Sequence, residues 1–188
     1  MNDIVVGMGE ALWDVLPEGK KIGGAPANFA YHVSQFGLPS CVVSAVGDDA
    51  LGKEITENFT SKGLNQLIAE VPYPTGTVQV EIDPAGVPQY EIKENVAWDN
   101  IPYTARLEQL AERTKAVCFG SLAQRNVVSR NTINRFFDAM PRTADSLVVF
   151  DVNLRQGFYN KEIICNSMKR CNILKINDEE LLLIERMF

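Results

Sequence analysis

The sequence predicts an α/β fold in which helices cover both faces of a parallel sheet, with a small antiparallel β lid attached. Short strands of the buried type alternate along the chain with longer segments of helical periodicity, and this order requires parallel strands joined by crossover helices. The 188 residues, 46% of them hydrophobic, are enough for one domain with a sizeable core. A single segment of alternating apolar and polar residues interrupts the order and predicts the lid.

The strands of the main sheet are predicted from five short apolar runs. These runs are rich in β-branched or aromatic residues and are bounded by Gly, Asp or Asn, as buried strands are. Helices are predicted where apolar residues recur at spacings of three and four. The predicted strands are 4–7, 41–46, 116–119, 147–152 and 172–176, and the predicted helices are 26–36, 50–62, 103–114, 126–140, 160–170 and 178–187.

The lid is predicted from residues 75–82 (TGTVQVEI), which alternate apolar and polar side chains, a turn at 83–86 (DPAG), and renewed alternation at 87–92. This pattern is typical of an antiparallel hairpin. Residues 10–16 (EALWDVL) could add a strand to the same sheet. Such an insertion is commonly a lid over a site or a dimer contact, and a decorative edge hairpin is the alternative. We expect the lid strands within about residues 10–17 and 75–98 of a single unit, 1–188, and a homodimer through the lid.

Composition excludes several classes of partner. The formal net charge of −6 argues against a nucleic-acid surface, which needs clustered Lys and Arg. No run of about 18 apolar residues occurs, so no membrane partner is expected. The first 20 residues lack a basic segment ahead of a long apolar core, which predicts a cytoplasmic protein without a secretory signal. The four cysteines form no C-x-x-C pair and are interpreted as reduced thiols.

Two motifs are set aside. Gly7 and Gly9 follow the first strand like a dinucleotide fingerprint, but the third glycine is absent. Residues 47–53 (GDDALGK) have the Gly and Lys spacing of a Walker A loop, yet Glu54 replaces the Ser or Thr that holds magnesium. A turn and an N-cap before the next helix are favoured there.

His32 is the only histidine, so neither a histidine-based metal cluster nor a Ser-His-Asp triad is expected.

Polar residues follow several of the predicted strands, and ligands of an open parallel sheet bind beyond the carboxyl ends of its strands. The segment 21–32 (KIGGAPANFAYH) adds two adjacent glycines at the mouth of a helix whose apolar stripe is predicted to run to Phe36. Carboxylates, amides and uncovered glycine N–H groups suit vicinal hydroxyls, and an arginine suits a phosphate. The residues in question are Glu10, Asp14, Gly23, Gly24, Asn28, Arg125, Asn153, Arg155, Asn177 and Glu180.

Each of these side chains also has an ordinary structural explanation. Asp14 could be a solvated loop acid, and Arg155 a surface charge. Asn177 could be a helix N-cap, with Glu180 completing a capping box. For Arg125 and Asn177 the structural explanation is at least as strong as the functional one.

The segment GGAPANFAYHVSQFG, followed by VGDDALG, resembles the N-terminal signature of the ribokinase-like, or PfkB, carbohydrate kinases. DVNLR and the N-x-x-E of 177–180 occur in the order that the family uses, and VAWDNIP and FGSLAQR are similar to its bacterial fructokinase branch. The resemblance covers essentially the whole chain and implies an incomplete ribokinase-like fold.

The resemblance also implies roles for particular residues. Sugar binding is implied for Asp14, Gly23, Gly24 and Asn28, and Asn153 and Arg155 are assigned to the same substrate-binding set, with Arg155 near the transferred phosphate. Asn177 and Glu180 are associated with phosphate and Mg²⁺, and no direct metal ligand is expected. The family's second signature, a G-A-G-D loop with the catalytic base, is absent from these 188 residues. We therefore expect no catalytic residue here, no tightly bound cofactor, and an inactive N-terminal portion of a kinase that uses ATP and Mg²⁺.

The expected reaction of the full-length parent is phosphorylation of a sugar, fructose to fructose 6-phosphate. One alternative is a sugar-binding or dimerising module without enzymatic activity. Another is a kinase for a different sugar such as 2-keto-3-deoxygluconate, or for a nucleoside, for which only Tyr90 and Trp98 offer aromatic stacking.

Overall fold

The computed structural model describes residues 3–82 and 88–188, which form ten strands in two sheets, six α-helices and two short 3₁₀ turns. The turn predicted at 83–86 lies outside the described residues. The strands are β1 Ile4–Met8, β2 Leu12–Leu16, β3 Gly19–Gly23, β4 Ser40–Gly47, β5 Asn65–Val71, β6 Gly76–Ile82, β7 Pro88–Ile92, β8 Thr114–Gly120, β9 Leu147–Asp151 and β10 Ile173–Lys175. The helices are α1 Ala25–Gln35, α2 Ala50–Ser61, α3 Ala105–Ala111, α4 Val127–Ala139, α5 Lys161–Arg170 and α6 Asp178–Met187, with the 3₁₀ turns at Ala97–Asn100 and Leu122–Gln124.

The main sheet has the strand order β10-β9-β8-β1-β4-β5, and all of its neighbouring strands are parallel. Alternate residues of β4 point to opposite faces. Val42 and Val46 belong to an apolar cluster with α1 and α2, whereas Val43 and Ala45 belong to a second cluster that includes side chains of α4. The sheet therefore separates two cores, and the three-layer α/β prediction is confirmed.

Two strands were not predicted. β5 is the edge strand of the main sheet and is only half-buried, so its sequence lacks the continuous apolar run that marks a central strand. β3 carries Lys20 and Lys21 and is exposed over most of its length. Helix α3 is shorter than predicted at both ends: it begins after the N-cap Thr104, whose hydroxyl accepts from the Leu107 N–H at 3.2 Å, and it ends at Ala111, because Thr114 already begins β8.

The small sheet has the order β3-β2-β6-β7 and is mixed. The β2–β3 and β6–β7 pairs are antiparallel, as expected for a lid of hairpins, but β2 and β6 pair in parallel. β2 follows β1 and β6 follows β5, so both strands leave the same edge of the main sheet in the same direction. The antiparallel description of the lid therefore holds for its hairpins and not for the contact between them.

Helix α1 packs through its small residues. Its buried positions are Pro26, Ala27 and Ala30, whereas Phe36 is 83% exposed, so the predicted apolar stripe was wrong at its end. A Cβ atom at Gly7 of β1 would collide with the carbonyl oxygen of Pro26. The first turn of α1 thus lies against the backbone of β1, which fixes the start of this helix at the carboxyl end of the sheet.

Within residues 3–82 and 88–188, no helix has the length and apolar character needed to cross a bilayer.

Candidate functional site

The double-glycine loop is held by close backbone packing. Gly24 is the N-cap of α1, with φ 107° and ψ 113°, a conformation that favours glycine. A Cβ atom there would collide with the carbonyl oxygen of Glu10. Among the described residues no side chain caps α1, so N–H groups of its first turn remain available to a ligand. Gly23 is itself buried as the last residue of β3, so the predicted role of the Gly23 and Gly24 N–H groups stays a prediction.

Asp14 lies directly against the loop. Pairing of β2 with β3 places Leu12 opposite Gly23, and a Cβ atom at Gly23 would collide with the carboxylate of Asp14. Burial raises the pKa of Asp14, and the positive charge of Arg155 acts in the opposite direction. The half-buried carboxylate of Asp14 thus contacts Gly23, and it is sensitive to the charge of Arg155, which lies 141 positions away in the sequence.

Asn153 and Arg155 lie in the loop that follows β9. Asn153 has φ 40° and Gln156 has φ 49°, both in the left-handed region, which costs free energy for residues other than glycine. The Arg155 side chain is exposed and donates from Nη1 to the Leu154 carbonyl oxygen at 2.9 Å. Two left-handed residues within four positions make this a tightly turned loop.

Asn177 and Glu180 form the capping box that the sequence left open as an alternative. The Glu180 N–H donates to Asn177 Oδ1 at 2.8 Å, and Glu180 Oε2 accepts from the Asn177 N–H at 3.2 Å. Glu180 Oε1 accepts from the Leu154 N–H at 2.9 Å. The pair therefore begins α6 and also holds the 153–155 loop.

These hydrogen bonds concern the two residues that the family resemblance associates with Mg²⁺. Both carboxylate oxygens of Glu180 accept backbone N–H groups, so this side chain already has a structural role, and its association with Mg²⁺ stays a prediction. In the part of the chain that the structure describes, no group of three or more His, Cys, Asp or Glu side chains is placed to hold a metal ion. β10 lies three strand spacings from β1, roughly 14 Å, which separates Asn177 and Glu180 from the glycine loop.

Asn28 lies on the first turn of α1, where its side chain is exposed and its N–H donates to the Gly24 carbonyl oxygen at 2.9 Å. The structure thus places Asp14 against Gly23, with Gly24 next in the chain and Asn28 one helical turn away, while Arg155 acts on Asp14 through its charge. Asn177 and Glu180 lie apart from this group. Glu180 is connected to it through its hydrogen bond to Leu154, in the loop that carries Asn153.

Arg125 has a structural role, as its ordinary explanation proposed. Its Nε and Nη2 donate to Asp99 Oδ1 and Oδ2 at 2.7 and 2.8 Å, and Nη2 also donates to the Lys93 carbonyl oxygen at 2.6 Å. The guanidinium lies 4.1 Å from the ring centre of Trp98 and 4.4 Å from that of Phe158. A neighbouring cavity of about 240 Å³ is lined by none of the predicted sugar-binding residues.

The GDDALGK segment is a turn and an N-cap, as interpreted from the sequence. Asp49 Oδ1 accepts from the Gly52 N–H at 2.8 Å at the start of α2. Its two oxygens also accept from the hydroxyl and the N–H of Thr75 at 2.7 and 2.8 Å. The loop is therefore closed by a carboxylate, which would repel the phosphates of a Walker A ligand.

Two residues near the site received no specific role from the sequence: Glu10 was counted only among the polar residues that follow the strands, and Gln156 was not considered. Glu10 is only 2% exposed, and burial raises its pKa to about 7. Its position after a buried strand was the available signal. Gln156 donates from Nε2 to the Tyr90 carbonyl oxygen at 2.7 Å and so connects the β9 loop to the small sheet. No sequence pattern links two residues 66 positions apart.

Known proteins resemble this chain over most of its length. The pfkB family carbohydrate kinase model matches residues 17–186. A sugar kinase of Pyrococcus horikoshii is 30% identical over 174 residues, which are 88% of this chain and 55% of that protein. A fructokinase of Klebsiella pneumoniae is 27% identical over 197 residues, 98% of this chain and 63% of that protein. The chain thus spans between half and two thirds of the length of these curated relatives.

Solved structures show the same fold. The crystal structure of the Pyrococcus horikoshii sugar kinase matches 97% of this chain and 68% of its own, with a TM-score of 0.82 and 28% identity, and another structure of that protein contains ATP. The fructokinase of Xylella fastidiosa matches 96% of this chain and 61% of its own, with a TM-score of 0.82 at 19% identity, which shows the fold alone. The ribokinase-like fold is therefore confirmed, and the chain belongs to the pfkB family of carbohydrate kinases.

Proposed function

We propose that this chain is the sugar-binding portion of an ATP-dependent kinase that phosphorylates fructose to fructose 6-phosphate. The observation that carries the proposal is the contact between the Asp14 carboxylate and Gly23, beside the uncapped first turn of α1. An acceptor and several N–H donors on adjoining backbone match the paired hydroxyls of a sugar. The Klebsiella pneumoniae fructokinase supports the choice of fructose.

Each residue then has a defined chemical role. The Asp14 carboxylate accepts hydrogen bonds from sugar hydroxyls, the Gly23 and Gly24 N–H groups donate to them, and the Asn28 amide does both. Asn153 and Arg155 complete the substrate set from the β9 loop. The Arg155 guanidinium supplies positive charge on the side where a phosphoryl group would arrive. Asn177 and Glu180 act from farther away, by holding the loop that carries Arg155.

ATP would supply the phosphoryl group, and Mg²⁺ would accompany its phosphates. The 188 residues contain no G-A-G-D sequence, so we expect the chain alone to bind sugar and to transfer no phosphate. A cytoplasmic location, the lack of a nucleic-acid partner and a homodimer through the small sheet remain predictions. Light scattering of the purified chain measures the last of these.

A second candidate substrate is an acidic sugar such as 2-keto-3-deoxygluconate. A 5-dehydro-2-deoxygluconokinase of Bacillus cereus is 28% identical over 147 residues, 76% of this chain. The exposed Arg155 could pair with a carboxylate as well as with a phosphate. Competition between fructose and this acid separates the two substrates.

Calorimetric titration of fructose into the purified chain tests the proposal. We expect measurable binding that Asp14→Asn weakens roughly tenfold or more, because a charged hydrogen bond contributes about 1.5–3 kcal/mol. Glu57→Gln, an exposed carboxylate on α2, is the matched control and should bind as the unmodified chain does. Tight nucleotide binding or phosphate transfer by the chain alone would contradict the proposal that this chain supplies only the sugar-binding portion of the kinase. Sugar binding by a protein whose complete coding sequence ends here would favour the non-enzymatic module.

A further inference from the structure

Gln156 connects the loop that follows β9 to the small sheet. Its Nε2 donates to the carbonyl oxygen of Tyr90 on β7 at 2.7 Å. Its backbone has φ 49°, in the left-handed region that residues other than glycine adopt at a cost in free energy. Such strain is kept where the surrounding structure needs a particular backbone direction, and here it accompanies a contact between two separate parts of the fold.

A second set of contacts joins the same two segments. Arg125 Nη2 donates at 2.6 Å to the carbonyl oxygen of Lys93, which directly follows β7. The guanidinium of Arg125 also lies 4.4 Å from the ring centre of Phe158. The Phe158 N–H donates to the Arg155 carbonyl oxygen at 3.1 Å. The end of β7 and the loop 153–158 are therefore held together at two places.

The beginning of this loop is held from the other side, by β10 and α6. The Val152 N–H donates to the Lys175 carbonyl oxygen at 3.0 Å, and the Leu154 N–H donates to Glu180 Oε1 at 2.9 Å. Arg155 therefore follows a residue that is bonded to α6 and precedes a residue that is bonded to β7. Its backbone position depends on both bonds.

The small sheet that Gln156 contacts is also the sheet that carries Asp14. In its register Asp14 on β2 lies opposite Val78 on β6, and Val78 lies opposite Ile92 on β7. β7 is thus two strand spacings from β2, roughly 10 Å, and Tyr90 is two residues along β7 from Ile92. A hydrogen bond to Tyr90 therefore restrains the sheet that carries Asp14 relative to the loop that carries Arg155.

We propose that Gln156 is a positioning residue that sets the separation between Asp14 and Arg155, the two sides of the sugar site. The inference rests on the proposed function and adds to it a residue that touches no substrate. Its hydrogen bond orders the small sheet against the β9 loop before a sugar arrives. Binding then requires less ordering of the site, which raises affinity.

Two variants separate this role from a contribution to stability. Gln156→Met keeps the length of the side chain and removes the donor. Gln156→Gly removes the donor and also the strain, because glycine adopts positive φ freely. Asn95→Gly is the matched control: Asn95 is exposed and has φ 54°, so the substitution relieves similar strain and leaves the bond between Gln156 and Tyr90 in place.

The test is the Kd for fructose, by calorimetry, together with the urea midpoint of each form. We expect both Gln156 variants to bind fructose about three- to tenfold more weakly than the unmodified chain, the effect of one hydrogen bond. The control should bind as the unmodified chain does. The urea midpoint of Gln156→Gly should nevertheless not fall, because the relief of strain offsets the loss of an exposed hydrogen bond. A merely structural role would lower affinity and stability together.

Amide hydrogen exchange measures the restraint without sugar. The backbone N–H groups that join β7 to β6 should exchange about three- to tenfold faster in Gln156→Met than in the unmodified chain or in Asn95→Gly. Equal fructose affinity of Gln156→Met and the unmodified chain would overturn the inference. If no form binds fructose, the proposed function fails, and exchange alone decides whether Gln156 holds the small sheet. Unchanged exchange in Gln156→Met would refute that restraint.

Discussion

The buried ion pair between Arg125 and Asp99 is expected to make a large contribution to the free energy of unfolding, and a single substitution tests this. The perturbation is Arg125→Met, which keeps an apolar stem between Trp98 and Phe158 and removes the guanidinium. The side chains of Arg125 and Asp99 are 8% and 2% exposed, and the guanidinium donates three hydrogen bonds of 2.6–2.8 Å. The variant therefore leaves the Asp99 carboxylate buried without its cation.

The magnitude follows from this burial. Removing one partner of a buried ion pair costs about 3–5 kcal/mol, because the remaining charge is uncompensated. Stacking of the guanidinium on two rings adds to the loss, while the methionine recovers part of the packing. We expect the free energy of unfolding to fall by about 4 kcal/mol, which lowers the Tm by roughly 8–16 °C for a chain of this size.

The assay is urea denaturation at pH 7, followed by circular dichroism. Arg170→Met is the matched control, because Arg170 and Asp138 form a pair of 2.6 Å whose side chains are 39% and 61% exposed. That pair should contribute less than about 1 kcal/mol. The double variant Arg125→Met, Asp99→Asn should recover part of the loss, since it removes the unpaired charge. Equal losses for Arg125→Met and Arg170→Met would refute the argument from burial.

Three further predictions concern the candidate site and its frame. The fold raises the pKa of Glu10 from 4.5 to about 7. Between pH 4.5 and pH 7, the free energy of unfolding of the unmodified chain should therefore fall by about 3 kcal/mol relative to that of Glu10→Gln. Urea denaturation midpoints measured across this pH range test the prediction. Gly24→Ala should lower stability by about 1–3 kcal/mol in the same assay, through its positive φ and the collision with the Glu10 carbonyl oxygen, and an unchanged midpoint would contradict that packing. Asp49→Ala should cost about 1–2 kcal/mol by removing the N-cap of α2 and the acceptor for Thr75, whereas the neighbouring Asp48→Ala, at an exposed position, should cost little.

The extent of sequence prediction differed between the main sheet and the lid. The five predicted strands of the main sheet and all six predicted helices are present in the structure. They could be predicted because the apolar pattern of each segment depends on burial within that one element. β5 escaped prediction since an edge strand is only half covered. The parallel contact of β2 with β6 was also missed, because pairing between distant strands depends on how each leaves the main sheet.

For the site, the sequence by itself determined the local chemistry. Local backbone preferences can be predicted from the sequence because they act within a few residues of their own positions. Examples are the two glycines, the Pro at the start of α1 and the N-cap Asp49. Whether Asn177 and Glu180 cap a helix was left open by the same patterns, since a capping box and a ligand pair use the same residues.

Only the tertiary structure decided which polar residues meet. It placed Asp14 against Gly23, buried Glu10 with its carbonyl oxygen against Gly24, and assigned Arg125 to an ion pair with Asp99. The charge of Arg155 acts on both Asp14 and Glu10. These relations join residues that are far apart in sequence, and the packing of sheets and loops sets their distances. The physical reason is that burial and neighbouring charge, which control what a carboxylate or a guanidinium does, are properties of the assembled fold and not of the chain around each residue.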